Sequence, residues 1–223
     1  MPILAYILVA FAAYLLGSIP FGLLMAKAKG IDIRAVGSGN IGATNAMRVL
    51  GKPAGIFVLL LDAFKGWYAC QIGLLVFFHF LPQANIHSNA DMQNVVKCME
   101  AFPIIAGIFA VLGHNYTCWL KFKGGKGIST TAGVYLALAP WAVLIALGVF
   151  LLAVLVTRYV SIGSISGAVA LIAAVWILPP HNLLLGIVTT ALGALAIYKH
   201  KSNIQWLLAG TESRLGKTKE TAT

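Results

Sequence analysis

The sequence predicts an all-α fold, a polytopic membrane helix bundle of about seven transmembrane helices. Of the 223 residues, 60% are hydrophobic and only 10% are charged, whereas soluble domains carry about 25% charged residues. Several apolar runs approach or exceed the roughly 20 residues that cross a bilayer as a helix. Polar residues gather in short segments between these runs, which is typical of a multi-pass membrane protein.

The apolar runs define the helices in chain order. Pro20 is expected to kink the end of the first one. Because proline cannot donate a helical hydrogen bond, Pro140 is expected to divide the run at 128–156 into two short helices, the first stopping within the bilayer. Residues 81–99 are predicted to be a solvated loop. The predicted spans are residues 3–26, 54–80, 100–116, 128–139, 141–157, 165–178 and 183–198.

The positions of the cations predict the orientation. Fourteen of the 16 Lys and Arg residues fall in segments 27–53, 117–127 and 157–164 and in the tail from residue 199. The positive-inside rule places all four in the cytoplasm, with the N-terminus outside and the C-terminus inside. We therefore expect one transmembrane domain, residues 1–210, whose four polar segments converge on the cytoplasmic face. Residues 211–223 are expected to form a mobile polar cytoplasmic tail.

Composition also excludes several functions. The net charge of +10 follows the topology and indicates no nucleic-acid partner, because no basic patch is interleaved with exposed aromatic residues. The three cysteines are odd in number and lack a Cys-x-x-Cys spacing, so neither a disulfide framework nor a thiolate metal site is indicated. No metal or organic cofactor is predicted. Asp62 and Lys65, three residues apart in the second span, are interpreted as a structural ion pair or, less simply, as catalytic groups.

The first polar segment, residues 27–53, leads into a stretch with the composition of an anion-binding cradle. Residues 37–55 hold five glycines and two cations, and no acid. Glycine lets the backbone turn sharply and expose its N–H groups, and amides, hydroxyls and cations add donors. The alternative is a helix–helix turn held by small residues. The donors are Ser38, Asn40, Thr44, Asn45, Arg48 and Lys52.

The second and fourth polar segments add to this pattern. Lys-Phe-Lys-Gly-Gly-Lys-Gly at 121–127 is not a nucleotide-binding P-loop, because Gly127 rather than Ser or Thr follows Lys126 and no strand precedes it. A glycine-rich turn that opens a helix still favours an anion, although lysines there also serve as membrane anchors. Near the C-terminus, His200 and Asn203 share a face if the chain is helical.

Together the three motifs resemble those of the bacterial acyl-phosphate:glycerol-3-phosphate acyltransferases, the PlsY family. The resemblance rests on Gly-Ser-Gly-Asn-Ile-Gly-Ala-Thr-Asn at 37–45, on residues 121–127, and on His-Lys-Ser-Asn-Ile at 200–204 followed by Gly-Thr-Glu at 210–212. It covers nearly the whole chain; the outer loop near 82–99 is longer than the family needs. It implies transfer of an acyl group from a fatty acyl phosphate to the 1-hydroxyl of glycerol 3-phosphate.

The resemblance also implies partners and site residues. The partners are the two substrates, the lipid bilayer and the soluble phosphate acyltransferase that makes the donor, and the location is the bacterial plasma (inner) membrane. Ser38, Arg48, Lys126 and His200 are the expected catalytic residues. The backbone N–H groups of Gly124, Gly125 and Gly127 are expected to cradle the donor phosphate. Asn203, Ser161 and Ser164 are further expected substrate contacts, beside Asn40, Thr44 and Asn45 of the first segment.

Two questions stay open at the level of sequence. Either His200 takes the proton of the attacking hydroxyl, or the donor's own phosphate does and His200 orients the substrate. A transporter of organic phosphates also fits interfacial cations and broken helices, although the chain shows no internal repeat. Acyl-chain preference and oligomeric state leave no trace in the sequence.

Overall fold

The computed structural model describes residues 3–80, 88–179 and 181–216, and every regular element within them is helical. The chain divides into two compact units, residues 1–140 and 141–223. The first unit holds α1 (Ile3–Ser18), α2 (Phe21–Lys27), α3 (Ala43–Leu50), α4 (Lys52–Phe80), α5 (Asn89–Asn115) and α6 (Ile128–Leu138). The second holds α7 (Pro140–Thr157, whose first residue closes the first unit), α8 (Val160–Ile177), α9 (Leu183–Lys199) and α10 (Lys201–Leu208).

These helices confirm an all-helical, multi-pass membrane fold. In the described ranges, five segments are long and apolar enough to cross a bilayer, and α9 with α10 makes a sixth if this pair, bent by 51°, is one span. Helix α6 rises only about 17 Å over its length at ~1.5 Å per residue, which is short of the roughly 30 Å hydrocarbon core. The count of seven and the orientation of the termini stay predictions. The five segments are Ile3–Lys27, Lys52–Phe80, Asn89–Leu120, Pro140–Thr157 and Val160–Ile177.

Small residues allow the helices of the first unit to pack closely. Alanines on α1, α4 and α5 form a buried cluster with the rings of Phe77 and Phe102. Gly17 lies so close to α5 that an added methyl group would collide with the carbonyl oxygen of Ala110. Within a membrane such close approach is a main source of helix association, because lipid removes the hydrophobic driving force.

The expected kink at Pro20 is confirmed, and it is a full break: α1 ends at Ser18 and α2 begins at Phe21. Proline has no N–H to continue the helical ladder, so carbonyls on its N-terminal side need other partners. Thr117 Oγ1 donates to the carbonyl oxygen of Ser18 at 2.7 Å. Lys65 Nζ donates to that of Ile19 at 2.8 Å. Side chains from α4 and from the end of α5 therefore stabilise the break.

The predicted solvated loop at 81–99 is wrong in its second part, because α5 begins at Asn89 rather than at residue 100. Ser88 and Asp91 form a capping box: the Asp91 N–H donates to Ser88 Oγ at 3.2 Å, and the Ser88 N–H donates to Asp91 Oδ2 at 2.9 Å. Such a box starts a helix in polar sequence, which hydropathy alone does not detect. Residues 81–87 lie outside the described residues.

In the second unit, the polar turn predicted at 157–164 is wrong in extent, because α8 already begins at Val160. Ser164 Oγ donates to the carbonyl oxygen of Val160 at 2.9 Å, a bond within the helix. Gly163 faces Phe150 of α7 so closely that a methyl group there would contact its backbone and ring. Glycine, which often marks turns in soluble proteins, here allows a close helix contact.

A matched pair of glycines tests this packing. Gly133 of α6 faces the carbonyl oxygen of Ala63 on α4, where a methyl group would collide, whereas nothing lies within 4 Å of the position that a methyl group at Gly148 of α7 would take. We expect Gly133→Ala to lower the free energy of unfolding by about 1–3 kcal/mol through overpacking. Gly148→Ala should leave it unchanged or raise it by up to about 1 kcal/mol. Equal thermal unfolding midpoints of the two variants in detergent would contradict the close α4–α6 contact.

Candidate functional site

The first polar segment is folded around one buried side chain, the amide of Asn45. Its Nδ2 donates to the carbonyl oxygens of Ile33 at 3.1 Å, Val36 at 3.1 Å and Asn40 at 2.9 Å. Its Oδ1 accepts the N–H of Ser38 at 2.9 Å. With 1% of its surface exposed, Asn45 shapes the segment from within, and any effect on a ligand runs through the backbone that it holds.

Other expected donors of this segment lie nearer the surface. Ser38 and Thr44 are half-buried, and Arg48 is exposed on the short helix α3. Asn40 is also half-buried, and its Oδ1 accepts the N–H of Gly42 at 2.8 Å. The side chains of Ser38, Thr44 and Arg48 are therefore better placed to meet a ligand than those of the two asparagines.

Asp32, the acid of this segment, is held as a carboxylate. Arg34 Nε donates to Asp32 Oδ1 at 2.9 Å, and Arg34 Nη2 donates to Oδ2 at 2.8 Å. These hydrogen bonds lower the pKa of Asp32 to about 2 because they favour the charged form. Asp32 thus stays ionised near neutral pH, cancels the charge of Arg34, and is a poor general base.

The second glycine-rich segment folds back onto the end of α5. A 3₁₀ turn at Cys118–Leu120 leads into Lys121 and Phe122, both with positive φ, and α6 begins after Gly127. The N–H of Gly124 donates to the carbonyl oxygen of Asn115 at 3.2 Å, and the N–H of Gly125 donates to that of His114 at 2.9 Å.

These bonds correct one expectation. The N–H groups of Gly124 and Gly125 were predicted to face a phosphate, but they are engaged by carbonyl groups of the same chain. Both residues are needed for a different reason, because methyl groups at these positions would collide with the backbone and the ring of His114. Only Gly127, with φ of 82° at the start of α6, and the half-buried Lys126 keep positions suited to an anion at a helix N-terminus.

A buried charged cluster lies beneath this turn. Lys65 Nζ and Asp62 Oδ1 of α4 are 2.8 Å apart, and 1% and 3% of the two side chains are exposed. His114 Nδ1 of α5 is 3.5 Å from the same carboxylate oxygen. The predicted ion pair is confirmed, and the structure adds His114 to it.

The first unit brings the two glycine-rich segments together. A buried apolar cluster contains Ile33 and Ile41 from the first segment with side chains of α2, α3 and α4, and Leu120 of the second segment packs against it. Two basic, glycine-rich segments distant in sequence therefore share one hydrophobic base. Convergence of all four polar segments stays a prediction.

In the second unit, His200 lies between α9 and α10, where the helix bends. Its Nδ1 is 2.8 Å from the carbonyl oxygen of Ala196, one helical turn earlier. A carbonyl can only accept, so Nδ1 carries the proton, and in the neutral ring Nε2 holds a lone pair. Only 4% of the residue is exposed, so the ring orientation is fixed by its surroundings.

Asn203 is oriented by a carboxylate that the sequence did not single out as a site residue. Its Nδ2 donates to both Oε1 and Oε2 of Glu212 at 3.0 Å, and both residues are buried. Beyond Glu212, the N–H of Leu215 donates to the carbonyl oxygen of Arg158 at 2.7 Å. Arg214 Nε donates to the hydroxyl of Tyr159 at 3.0 Å. Residues 211–215, predicted as a mobile tail, are thus held in place, and residues 217–223 lie outside the described ranges.

The two serines expected from the third segment lie on the first turns of α8. Ser161 and Ser164 are both buried. Ser164 is engaged within its own helix, whereas Ser161 Oγ has no hydrogen-bond partner in the described part of the chain. A buried hydroxyl without a partner is costly, so Ser161 is the better candidate for a ligand contact.

Sequence reasoning did not single out Glu212; it treated His114 only as a weaker candidate and Asp62 chiefly as one half of a structural ion pair. Glu212 meets Asn203, and the backbone of His114 meets Gly125, only through the tertiary fold. The available signal was chemical: Asp62 is an acid within an apolar span, and Glu212 is one of few acids near the third motif.

Comparison with known proteins gives concordant matches. Residues 7–210 match the family model described as glycerol-3-phosphate acyltransferase. Relatives named glycerol-3-phosphate acyltransferase include one from Geotalea daltonii, which is 41% identical over 93% of this chain and 96% of its own length. Another, from Trichlorobacter lovleyi, is 46% identical over 91% of this chain and 93% of its own length.

Solved structures agree with these matches. A crystal structure of PlsY (YgiH), an integral membrane glycerol 3-phosphate acyltransferase in its glycerol 3-phosphate form, superposes with a TM-score of 0.81 at 36% identity, covering 95% of this chain and 96% of that one. Its lysophosphatidic acid form gives a TM-score of 0.78 at 35% identity, with 95% of each chain covered.

Two glycines of the first segment provide a test of the Asn45-centred fold. Gly37 and Gly30 both have positive φ, 65° and 73°, but only at Gly37 would a methyl group collide with Asn45 Oδ1; nothing lies near Gly30. We expect Gly30→Ala to lower the free energy of unfolding by about 1–2 kcal/mol, because alanine disfavours the left-handed backbone conformation. Gly37→Ala should cost more and should expose residues 33–40 to limited proteolysis. The same loss and the same cleavage pattern in both variants would show that Asn45 does not organise the segment.

Proposed function

The chain belongs to the glycerol-3-phosphate acyltransferase family, and on that premise we propose that it transfers the acyl group of a fatty acyl phosphate to the 1-hydroxyl of glycerol 3-phosphate. The products are 1-acyl-glycerol 3-phosphate (lysophosphatidic acid) and inorganic phosphate, in the first acylation step of bacterial phospholipid synthesis. The observation that carries the proposal is the pairing of two basic, glycine-rich segments in the first unit, since both substrates carry a phosphate.

Phosphate recognition is assigned to the first unit. Arg48 and Lys126 supply positive charge, and Lys126 directly precedes Gly127, the N-cap of α6, where no side chain caps the helix. A helix N-terminus and a neighbouring cation both favour a bound anion. The same charges stabilise the oxyanion that develops on the acyl carbonyl, often the largest single contribution to catalysis. Ser38 and Thr44 add hydroxyl groups at the first segment.

Orientation of the acceptor is assigned to the third motif. The hydrogen bond from His200 Nδ1 to Ala196 leaves Nε2 as an acceptor in the neutral ring. Glu212 accepts hydrogen bonds from the amide nitrogen of Asn203, so the Oδ1 of Asn203 faces away from the Glu212 carboxylate. Acceptors of this kind suit the hydroxyl groups of glycerol 3-phosphate, and fixing a reactant in this way lowers the entropic barrier.

The proton of the attacking hydroxyl goes to the donor's own phosphate. The hydroxyl oxygen of glycerol 3-phosphate attacks the acyl carbonyl and forms the new ester C–O bond. The bond between the carbonyl carbon and the phosphate oxygen of the donor breaks. The proton leaves with the phosphate, so charge and atoms balance without a further base. The carboxylates of Asp32 and Glu212 are each bonded to another side chain, which supports this route over a carboxylate base.

The membrane context extends the proposal. The fatty tail of the donor needs an apolar surface, which exposed leucines and phenylalanines on the spanning helices provide. We place the protein in the bacterial inner membrane with its polar segments on the cytoplasmic face, supported by the distribution of Lys and Arg. A soluble phosphate acyltransferase is the partner that supplies acyl phosphate there.

An assay of the purified protein in detergent tests the reaction. With both acyl phosphate and glycerol 3-phosphate present, we expect phosphate release and lysophosphatidic acid in equal amounts. Omitting the acceptor, or replacing acyl phosphate with acyl-CoA, should abolish the product. Uptake of glycerol 3-phosphate into protein-containing liposomes without any acylation would instead identify a transporter.

The role of His200 is tested by His200→Asn. If the ring only orients the acceptor, kcat/KM should fall by about 10- to 100-fold, the order expected for lost alignment, and the shape of the pH–rate profile should persist. The exposed His181 gives the matched control, since His181→Asn should leave the rate unchanged. Loss of the basic limb together with nearly all of the rate would make His200 the general base.

A further inference from the structure

The buried cluster of Asp62, Lys65 and His114 connects three parts of the first unit. Lys65 bonds to Asp62 within α4 and to the carbonyl oxygen of Ile19 at the break between α1 and α2. His114, at the end of α5, lies against the same carboxylate. One carboxylate therefore neighbours a cation on its own helix and a ring on another.

Stability alone does not account for such a cluster. Removing charges from water costs several kcal/mol per ion, and apolar replacement of a buried ion pair is often neutral or stabilising. Ionisable side chains within membrane-spanning segments usually serve a function. The role of the cluster should therefore follow from the part of the chain that it contacts, the second glycine-rich turn.

The cluster contacts this turn through His114. The backbone carbonyl of His114 accepts the N–H of Gly125 at 2.9 Å, and the ring Nε2 lies where a methyl group on Gly125 would be. The ring is thus seated beneath Gly125 with Asp62 on its Nδ1 side. A change in ring orientation would move the turn, because no space separates the two.

The same part of α4 also fixes the helix that follows the turn. Gly66 faces the backbone of Thr130, and the carbonyl of Ala63 faces Gly133, both so closely that a methyl group would collide. Residues 62–66 therefore contact His114 on one side and α6 on the other. Lys126, between these two contacts, is held from both ends.

We propose that Asp62, Lys65 and His114 are positioning residues that set the second glycine-rich turn, and with it Lys126 and the N-terminus of α6, for a substrate phosphate. This role rests on the proposed function only for its kinetic consequence. The structural consequence, a turn held in one conformation by the buried charges, is independent of any substrate.

A double replacement separates positioning from stability. Asp62→Leu with Lys65→Met removes both charges at once, and the carbonyl of Ile19 keeps the N–H of Phe21 at 3.2 Å. We expect an unchanged or higher thermal unfolding midpoint in detergent. We also expect faster hydrogen exchange at the amides of Gly124 and Gly125. In the acylation assay kcat/KM should fall by about tenfold or more, mainly through KM for a phosphate-bearing substrate, a change of about 1.4 kcal/mol per factor of ten.

Tyr6→Phe is the matched control, because the Tyr6 hydroxyl contacts Cys98 Sγ at 3.3 Å and also links α1 with α5. It should change neither the exchange at residues 124–125 nor the kinetics. Unchanged exchange in the double variant would overturn the proposal, as would a loss of rate that only parallels a lower unfolding midpoint. A wild-type protein without acylation activity would instead refute the proposed function, and the exchange result would still decide the positioning role.

A compensation experiment addresses His114 directly. Gly125→Ala places a methyl group against the His114 ring and should reduce kcat/KM strongly. His114→Asn keeps a donor near the Nδ1 position and removes the outer edge of the ring, so adding it to Gly125→Ala should restore part of the rate. If the double variant is no better than Gly125→Ala alone, the ring does not set the turn.

Discussion

Backbone groups freed by breaks in membrane-embedded helices must find partners within the protein, and this constraint shapes the irregular parts of the first unit. Bilayer interiors offer no water to unsatisfied carbonyls. Here buried side chains take that place: Lys65 and Thr117 bond the carbonyls at the α1–α2 break, and Asn45 bonds three carbonyls of the first polar segment. Irregular backbone is stable here because these few side chains satisfy its carbonyl groups.

Glycine serves two different purposes in these segments, and sequence alone does not separate them. Gly37 and Gly127 have positive φ, which side-chain-bearing residues rarely adopt. Gly124 and Gly125 instead allow backbone to lie directly on His114. A glycine-rich motif therefore need not present its N–H groups to an anion; part of it exists so that the loop can approach its support.

Hydropathy and the positions of prolines predicted the helical membrane fold well, since a span requires a long apolar run and Pro20 and Pro140 interrupt helices for a local reason. Boundaries failed where a nonlocal or polar signal decided them, as at the Ser88–Asp91 capping box and at the serines of α8. Motif residues such as Ser38, Lys126 and His200 were recognisable from short patterns. Glu212 was not assigned as a site residue and His114 was only a weaker candidate, because their contacts are created only by the folded chain.

The two units differ in the hydrogen-bonding chemistry that they offer, and the difference follows from how their side chains are held. In the first, the carboxylate of Asp32 is paired with Arg34, and Arg48 and Lys126 lie on the glycine-rich segments. In the second, the Ala196 carbonyl and the Glu212 carboxylate each engage a nitrogen, of His200 and of Asn203. Because both partners can only accept, they fix which nitrogen of each side chain donates. Cations favour phosphates and neutral polar side chains favour hydroxyl groups, so each unit suits a different kind of polar group.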